Sequence, residues 1–343
     1  NQVGEQRVVC GLSGGVDSSV ATALLVRAGY DVAGIYMKEW VPVGITCAAG
    51  DDRQMAARAA THLGIPFAVW DFSREYEKQV VEYMIREYKE GRTPNPDVMC
   101  NKEIKFGFFL NKALEAGADF IATGHYVKMQ SDNVKSKIIY TLYRAKDNNK
   151  DQSYFLWTLT QEQLQHCLFP IGAYTKPEVR MIAKKFKLPN WERKDSQGIC
   201  FTGQFDFGEF LRMQIPKREG VVVSISGEKI GTHDGAAFAT IGQRHGVQSV
   251  KCPPNTVGRG SPQRGGKVQS DKNTKPLYVA DKNTKTNTLI VVPEDDALLY
   301  KKEISVWDTH WISGEEPQFP LECFVRIRYR QPVQRAIVSK IQD

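Results

Sequence analysis

A chain of 343 residues can bury more than one hydrophobic core, which excludes a disulfide-stapled miniprotein and makes two or three domains the expectation. Hydrophobic residues make up 41% and charged residues 25%, so a mostly disordered chain is excluded as well. Lys and Arg outnumber Asp and Glu by 46 to 39, and the formal charge of +7 suits a polyanionic partner without identifying one.

No apolar run approaches the roughly 18 residues of a membrane span, and the first twenty residues lack a signal-peptide pattern. A soluble chain with no membrane partner is expected, although it begins at Asn1 rather than at a methionine. The seven cysteines are scattered and include no CxxC pair, which argues against a disulfide framework or a zinc ribbon and for a reducing compartment.

In chain order, RVVCGL at 7–12 reads as a buried strand, SGGVDSS as a tight turn, and VATALLVRAG at 20–29 as a helix closed by Gly29. DVAGIYM at 31–37 and IPFAVW at 65–70 are further strands, separated by helical composition over 51–63. Helices over 74–90 and 102–116 precede the strand ADFIAT at 118–123. This alternation predicts an α/β fold with an open parallel sheet. A polar hairpin is expected around IIYTLYRA, and Thr175-Lys-Pro-Glu178 reads as a helix start. Beyond about residue 215 short β-rich runs take over: VVVSI, AAFATI, PLYVA, TLIVV and FVRIRYR. The expected domains are a nucleotide-binding domain over 1–215, a small β-rich central domain over 216–278 and a β-barrel-like domain over 279–343.

The turn at 13–19 places small residues where a strand becomes a helix, which lets backbone N–H groups surround phosphate at the positive helix end. It has neither the terminal lysine of GxxxxGK[ST] nor the spacing of GxGxxG. The plain alternative is a glycine turn with an Asp/Ser cap. Asp17 is a candidate ligand for metal or nucleotide, and Met37 is either a core residue or a strand-end contact. Gly124 similarly permits close approach of a ligand. A second motif, TPNPDVMCN at 93–101, sets Asp97 and Cys100 beside a proline-shaped turn, with Lys102 and Lys105 close by. For a lone cysteine the alternative is a buried, inert thiol. A third, DSQGICF at 195–201, carries Cys200, and only tertiary folding can bring it to Cys100. Two thiols that meet can hold and resolve a persulfide. The local cationic excess is clearest from Arg244 to Lys285, with nine Lys or Arg against two Asp or Glu.

SGGVDSS resembles the loop of the N-type ATP pyrophosphatases. Together with GRTPNPDVMCNKEIKF, ATGHY, KDQSYFL, DSQGICF, TIGQRHG and RIRYRQ, in that order along the chain, it closely resembles the tRNA-specific 2-thiouridylase family. That resemblance implies ATP-dependent 2-thiolation of the wobble uridine in tRNAs for Lys, Glu and Gln, with ATP and Mg²⁺ as cofactors and adenylation at O2. It implies Cys200 as the persulfide carrier, Cys100 as nucleophile or resolving thiol with a Cys100–Cys200 disulfide as product, and Asp97 as acid/base residue. ATP contacts are implied at Gly11, Leu12, Ser13, Gly14, Gly15, Val16, Asp17, Ser18, Met37 and Gly124. tRNA contacts are implied at Asn95, Pro96, Asp97, His125, Lys150, Asp151, Gln152, Arg328 and Tyr329, where Tyr329 equally suits packing in an alternating strand. The implied partners are tRNA, a cysteine desulfurase or sulfur-relay protein as persulfide donor, and an external reductant, in the cytoplasm or alternatively the mitochondrial matrix.

Two departures from the family pattern stand out: the segment 38–50, and an end at Asp343 soon after RYRQ, where resembling proteins run on through further barrel strands. Competing readings are an ATP pyrophosphatase forming amides or amidines, against which the paired cysteine motifs argue, and a noncatalytic tRNA-binding descendant.

Overall fold

The computed structural model describes residues 6–38, 40–42, 49–134, 136–194, 207–245, 248–249 and 276–341. Cys200 and its motif, and most of the basic stretch between 244 and 285, lie outside the described residues. The chain forms two compact units, one of Asn1–Glu82, Asn95–Phe205 and Asp308–Asp343, the other of Tyr83–Pro94 and Asp206–Trp307.

The first unit is built on strands β1 (Arg7–Gly11), β2 (Asp31–Lys38), β3 (Phe67–Asp71) and β4 (Phe120–Ala122). A hairpin of β5 (Val127–Val134) and β6 (Lys137–Arg144) follows, then the two-residue strand β7 (Cys167–Leu168). The sheet order is β3-β2-β1-β4-β7 and every pairing in it is parallel. Central β1 is apolar and buried on both faces beyond Arg7, as a covered parallel sheet requires. The order reverses between β1 and β4, and the crevice at such strand ends is where open α/β sheets receive ligands.

Helix α1 (Val16–Ala28) fills the space behind this crevice. Its Val16, Val20 and Ala23 pack with Tyr126, Ile171 and with Val179, Ala183 and Leu188 from the region of the helix Lys176–Lys185. Each fully buried Val or Leu of this layer stabilises the fold by about 1.5–3 kcal/mol. Ser19 and Thr22 are buried too, and their hydroxyls donate to the carbonyls of Gly15 at 3.0 Å and Ser18 at 2.9 Å, so neither is left unsatisfied. Gly29 ends α1 at φ 90°, as expected from its position. Helix α2 (Ala49–Leu63) and continuous helices over 73–89 and 96–115 complete the helical complement around 51–63, 74–90 and 102–116. At Thr175 the amide donates to the Glu178 carboxylate at 2.6 Å, forming the cap legible in TKPE.

The second unit holds a six-stranded sheet of β8 (Gly220–Val223), β9 (Lys229–His233), β10 (Arg244–His245), β11 (Gln248–Ser249), β12 (Leu277–Asn283) and β13 (Thr288–Pro293). Its order is β10-β12-β13-β8-β9-β11 around Val222, Val279, Leu289 and Val291. The division expected at 278/279 falls inside β12, because β12 pairs with β13 on both sides of a bulge between Val279 and Asp281 and β13 joins β8. AAFATI is a short 3₁₀ turn at Ala236–Phe238 rather than a strand, and it buries Ala236 and Ala239 against this core.

Residues 308–343 group with the first unit. His310 bonds the Leu159 carbonyl at 2.9 Å and the Gln161 amide donates to the Ile312 carbonyl at 2.8 Å. Their hairpin of β14 (Leu321–Val325) and β15 (Gln334–Val338) takes in only the first two residues of FVRIRYR. Gln331 Oε1 accepts from the Ile327 and Arg328 amides, which folds RIRYR into a turn instead of an alternating strand.

Candidate functional site

The loop after β1 carries the phosphate-type signature in its backbone. Gly14 has φ 79°, and Gly15 precedes α1 with no side-chain cap, so the first-turn N–H groups remain donors toward the crevice. Ser18 Oγ accepts from the Ser13 amide at 3.2 Å and meets Ser13 Oγ at 3.1 Å, bracing the loop from within. A methyl group on Gly124 would stand 2.7 Å from Ser18 N, so only glycine lets the segment after β4 rest against this helix turn. At Gly11 an added methyl would meet Met37 Cε at 3.0 Å, which places Met37 over the end of β1. Leu12 is fully buried and its amide donates to Ile35 O, extending the sheet beneath the loop.

Asp17 faces two partners that sequence reading missed. Tyr126 Oη donates to its Oδ1 at 2.8 Å, and Lys176 Nζ donates to both oxygens at 2.7 and 2.8 Å. Lys176 therefore brings a cation to a loop whose own motif lacks one. Its position in TKPE was legible only as a helix start.

The helix over 96–115 carries the expected Asp97 and Cys100. Asn95 caps it, accepting from the Val98 amide at 3.3 Å, and Pro96 stands in its first turn. Cys100 N–H bonds back to the carbonyls of Pro96 and Asp97, so Asp97 and Cys100 share one helical face three residues apart. Asp97 is half-buried and Cys100 buried, at the start of nine residues of π-type turn, Cys100–Phe108. Phe106 and Phe109 tie this helix to the crevice. Phe109 Cζ is 3.8 Å from the place of a Gly11 methyl, and the Phe106 ring lies 5.7 Å from His125.

His125 is boxed between Phe106 and Phe169, and its Nδ1 shares a 2.8 Å hydrogen bond with Thr123. Burial, and then the nearby Lys105 charge, hold its pKa well below 6.5, so the ring is neutral at neutral pH. The folded protein refuses a proton that the unfolded chain takes up near 6.5. Stability therefore holds above that pH and falls below it, by up to about 1.4 kcal/mol per pH unit. Urea unfolding at pH 7.5 and 5.5 should show the loss, and His125→Phe should reduce it. An unchanged pH dependence in that variant would remove His125 as the cause.

The remaining expected RNA contacts divide. Asp151 is 2% exposed and its carboxylate is committed internally, accepting from the Ala145 amide at 3.0 Å and Ser153 Oγ at 3.0 Å, with Arg326 at 3.8 Å. Gln152 pairs with the Tyr126 backbone in both directions at 2.9 Å. Tyr329 lies 4.5 Å from Phe155 and 6.0 Å from Tyr154, so it packs in an aromatic group, while Arg328 is exposed on the same turn and Lys150 is half-buried. Among the described residues no group of three or more His, Cys, Asp or Glu could hold a metal ion, and no helix is long and apolar enough to cross a membrane.

A protein-family model described as "tRNA methyl transferase HUP domain" matches residues 6–204, and one described as "tRNA methyl transferase PRC-barrel domain" matches 208–293. The tRNA-specific 2-thiouridylase MnmA of Geobacillus thermodenitrificans is 42% identical over 342 residues, covering 99% of this chain and 85% of that protein. The protein of the same name from Idiomarina loihiensis is 43% identical over 330 residues, covering 95% and 83%. The chain belongs to the tRNA-specific 2-thiouridylase family.

Within that family framework the nucleotide loop, Met37 and Gly124 lie at one set of strand ends, and the helix that carries Asp97 and Cys100 reaches them further along, through Phe109 at Gly11 and Phe106 at His125. The structure adds Tyr126 and Lys176 at Asp17, and Asn190, Arg193 and Asp52 around Gly14. The signal for Asn190 and Arg193 was only their place in PNWERK, directly before DSQGICF.

Proposed function

We propose that this chain replaces the C2 oxygen of the wobble uridine with sulfur in tRNAs for lysine, glutamate and glutamine, using ATP and a persulfide. The observation that carries the reading is the meeting of the nucleotide loop with the Asp97–Cys100 helix at the ends of β1 and β4, through Phe109 and the Phe106–His125 contact. A phosphate-type loop alone would serve many activations. A thiol and a carboxylate on one face of the helix that meets it favour sulfur transfer over the methyl transfer in the domain descriptions.

ATP, when bound, supplies activation of the C2 oxygen by adenylation with loss of pyrophosphate. The uncapped N–H groups of α1 and its positive end hold the departing phosphates. Mg²⁺ would arrive with ATP and take its oxygens chiefly from phosphate and water, because both Asp17 oxygens already accept from Lys176 and one of them from Tyr126. Asp97 moves a proton as sulfur adds and AMP leaves. Cys200 carries the persulfide and Cys100 resolves it, leaving a Cys100–Cys200 disulfide that an external reductant reopens. The persulfide comes from a cysteine desulfurase or a sulfur-relay protein. A reducing compartment, the cytoplasm or the mitochondrial matrix, suits two thiols that must be regenerated. The wobble base, flipped from a single-stranded loop, reaches the thiols near Asn95, Pro96 and His125, with Lys150, Gln152, Arg328 and Tyr329 along the RNA path.

The purified chain, given ATP, Mg²⁺, a persulfide donor and unmodified transcripts of the three tRNAs, should yield 2-thiouridine detectable by nucleoside mass spectrometry. Pyrophosphate release with no thiolated nucleoside in any of the three would overturn the proposal.

A further inference from the structure

Asn190 is 2% exposed, and its Nδ2 donates to Gly14 O at 2.9 Å, Gly15 O at 3.0 Å and Ser19 Oγ at 2.9 Å. Arg193 donates to Gly14 O at 3.2 Å and pairs with the Asp52 carboxylate. Asn190 Oδ1 is buried without a hydrogen-bond partner among the described residues, a cost of about 1–3 kcal/mol. An amide held at that cost is held for its donors.

Those donors decide which way the loop faces. A trans peptide is planar, so its C=O and N–H point in opposite directions. The Gly14 carbonyl shares a peptide with Gly15 N–H, and the Gly15 carbonyl shares one with Val16 N–H. Anchoring the Gly14 carbonyl on Asn190 and Arg193 turns Gly15 N–H the other way, toward exposed Ser13, while at the Gly15 carbonyl Asn190 adds to the Ser18 and Ser19 hydroxyls of α1 and so turns Val16 N–H away from this anchor. Gly15 N–H has only a long 3.4 Å contact to Ser13 Oγ, which a stronger acceptor can replace.

We propose that Asn190 and Arg193 are positioning residues for a polyphosphate: they fix the two glycine peptides with their N–H groups presented to the ligand. Arg193 also neutralises Asp52, whose backbone lies directly behind Gly14. This inference rests on the nucleotide-binding reading of the loop.

Calorimetric titration of the full chain with ATP, with inorganic pyrophosphate plus Mg²⁺, and with adenosine tests it. Asn190→Asp keeps the size but offers carboxylate oxygens to two carbonyls, and should weaken ATP and pyrophosphate at least 10-fold while adenosine stays within twofold. Arg193→Gln, at a side chain a third exposed, should weaken both phosphates 3- to 10-fold and Arg193→Lys should recover most of that. This second pair keeps the test open if Asn190→Asp does not fold. Phosphate affinities unchanged in folded variants, or adenosine affinity falling in step, would overturn the clamp alone. A wild-type chain that binds neither ATP nor pyrophosphate would overturn the nucleotide reading with it.

Discussion

Cys200→Ser is expected to leave no detectable 2-thiouridine while ATP-dependent release of pyrophosphate on cognate tRNA continues. Serine cannot hold a persulfide, whereas adenylation draws on the loop at 11–18 and on the base, neither of which the substitution removes. Cys100→Ser separates the two sulfur routes. If the terminal persulfide sulfur attacks C2 and expels AMP, the product remains joined to Cys200 through a disulfide until Cys100 attacks the inner sulfur. The variant then accumulates a tRNA adduct that reductant cleaves to 2-thiouridine. If Cys100 instead attacks first and releases hydrosulfide, the variant keeps its persulfide and forms no adduct. Denaturing gels run without thiol, followed by nucleoside mass spectrometry, distinguish these outcomes. Thiolation at the wild-type rate by Cys200→Ser would end the sulfur-carrying assignment.

Gly14→Ala is expected to weaken ATP about 100-fold, the second of the large effects. At φ 79° an L side chain costs about 1–2 kcal/mol, and its Cβ would stand 2.3 Å from Asp52 O, so the loop or the start of α2 must shift. The shift drags the Gly14 carbonyl off Asn190 and Arg193 and turns the adjoining N–H groups. Gly29→Ala is the control. It has φ 90° but nothing within 4 Å of the added methyl, so it should cost about 1 kcal/mol of stability in urea and leave ATP affinity unchanged. ATP titration of both variants decides the matter, and equal losses in the two would show that the loop's neighbours are irrelevant.

Local patterns were legible wherever a few adjacent residues suffice. Strand β1, the glycine turn, α1 with its Gly29 stop, and the Thr175–Glu178 cap all follow from short-range sterics and hydrogen bonding. Reading failed where distant partners overrule local preference. RIRYR has strand composition, yet Gln331 captures its amides, and PLYVA sits in one sheet with VVVSI because strand pairing ignores sequence distance. Asp151 looks like a surface carboxylate in KDQ, but the amide of Ala145 and the hydroxyl of Ser153 draw it inside.

The sequence by itself determined the family through its motifs: two cysteine motifs, an aspartate beside one of them and a lysine-free SGGVDSS loop, each recognisable as a contiguous phrase. The tertiary structure alone decided which groups complete that loop. Lys176 at Asp17, and Asn190 and Arg193 at the glycine carbonyls, lie more than a hundred residues from their partners. An ammonium or an amide acts across about 3 Å of space, and no one-dimensional pattern encodes that distance.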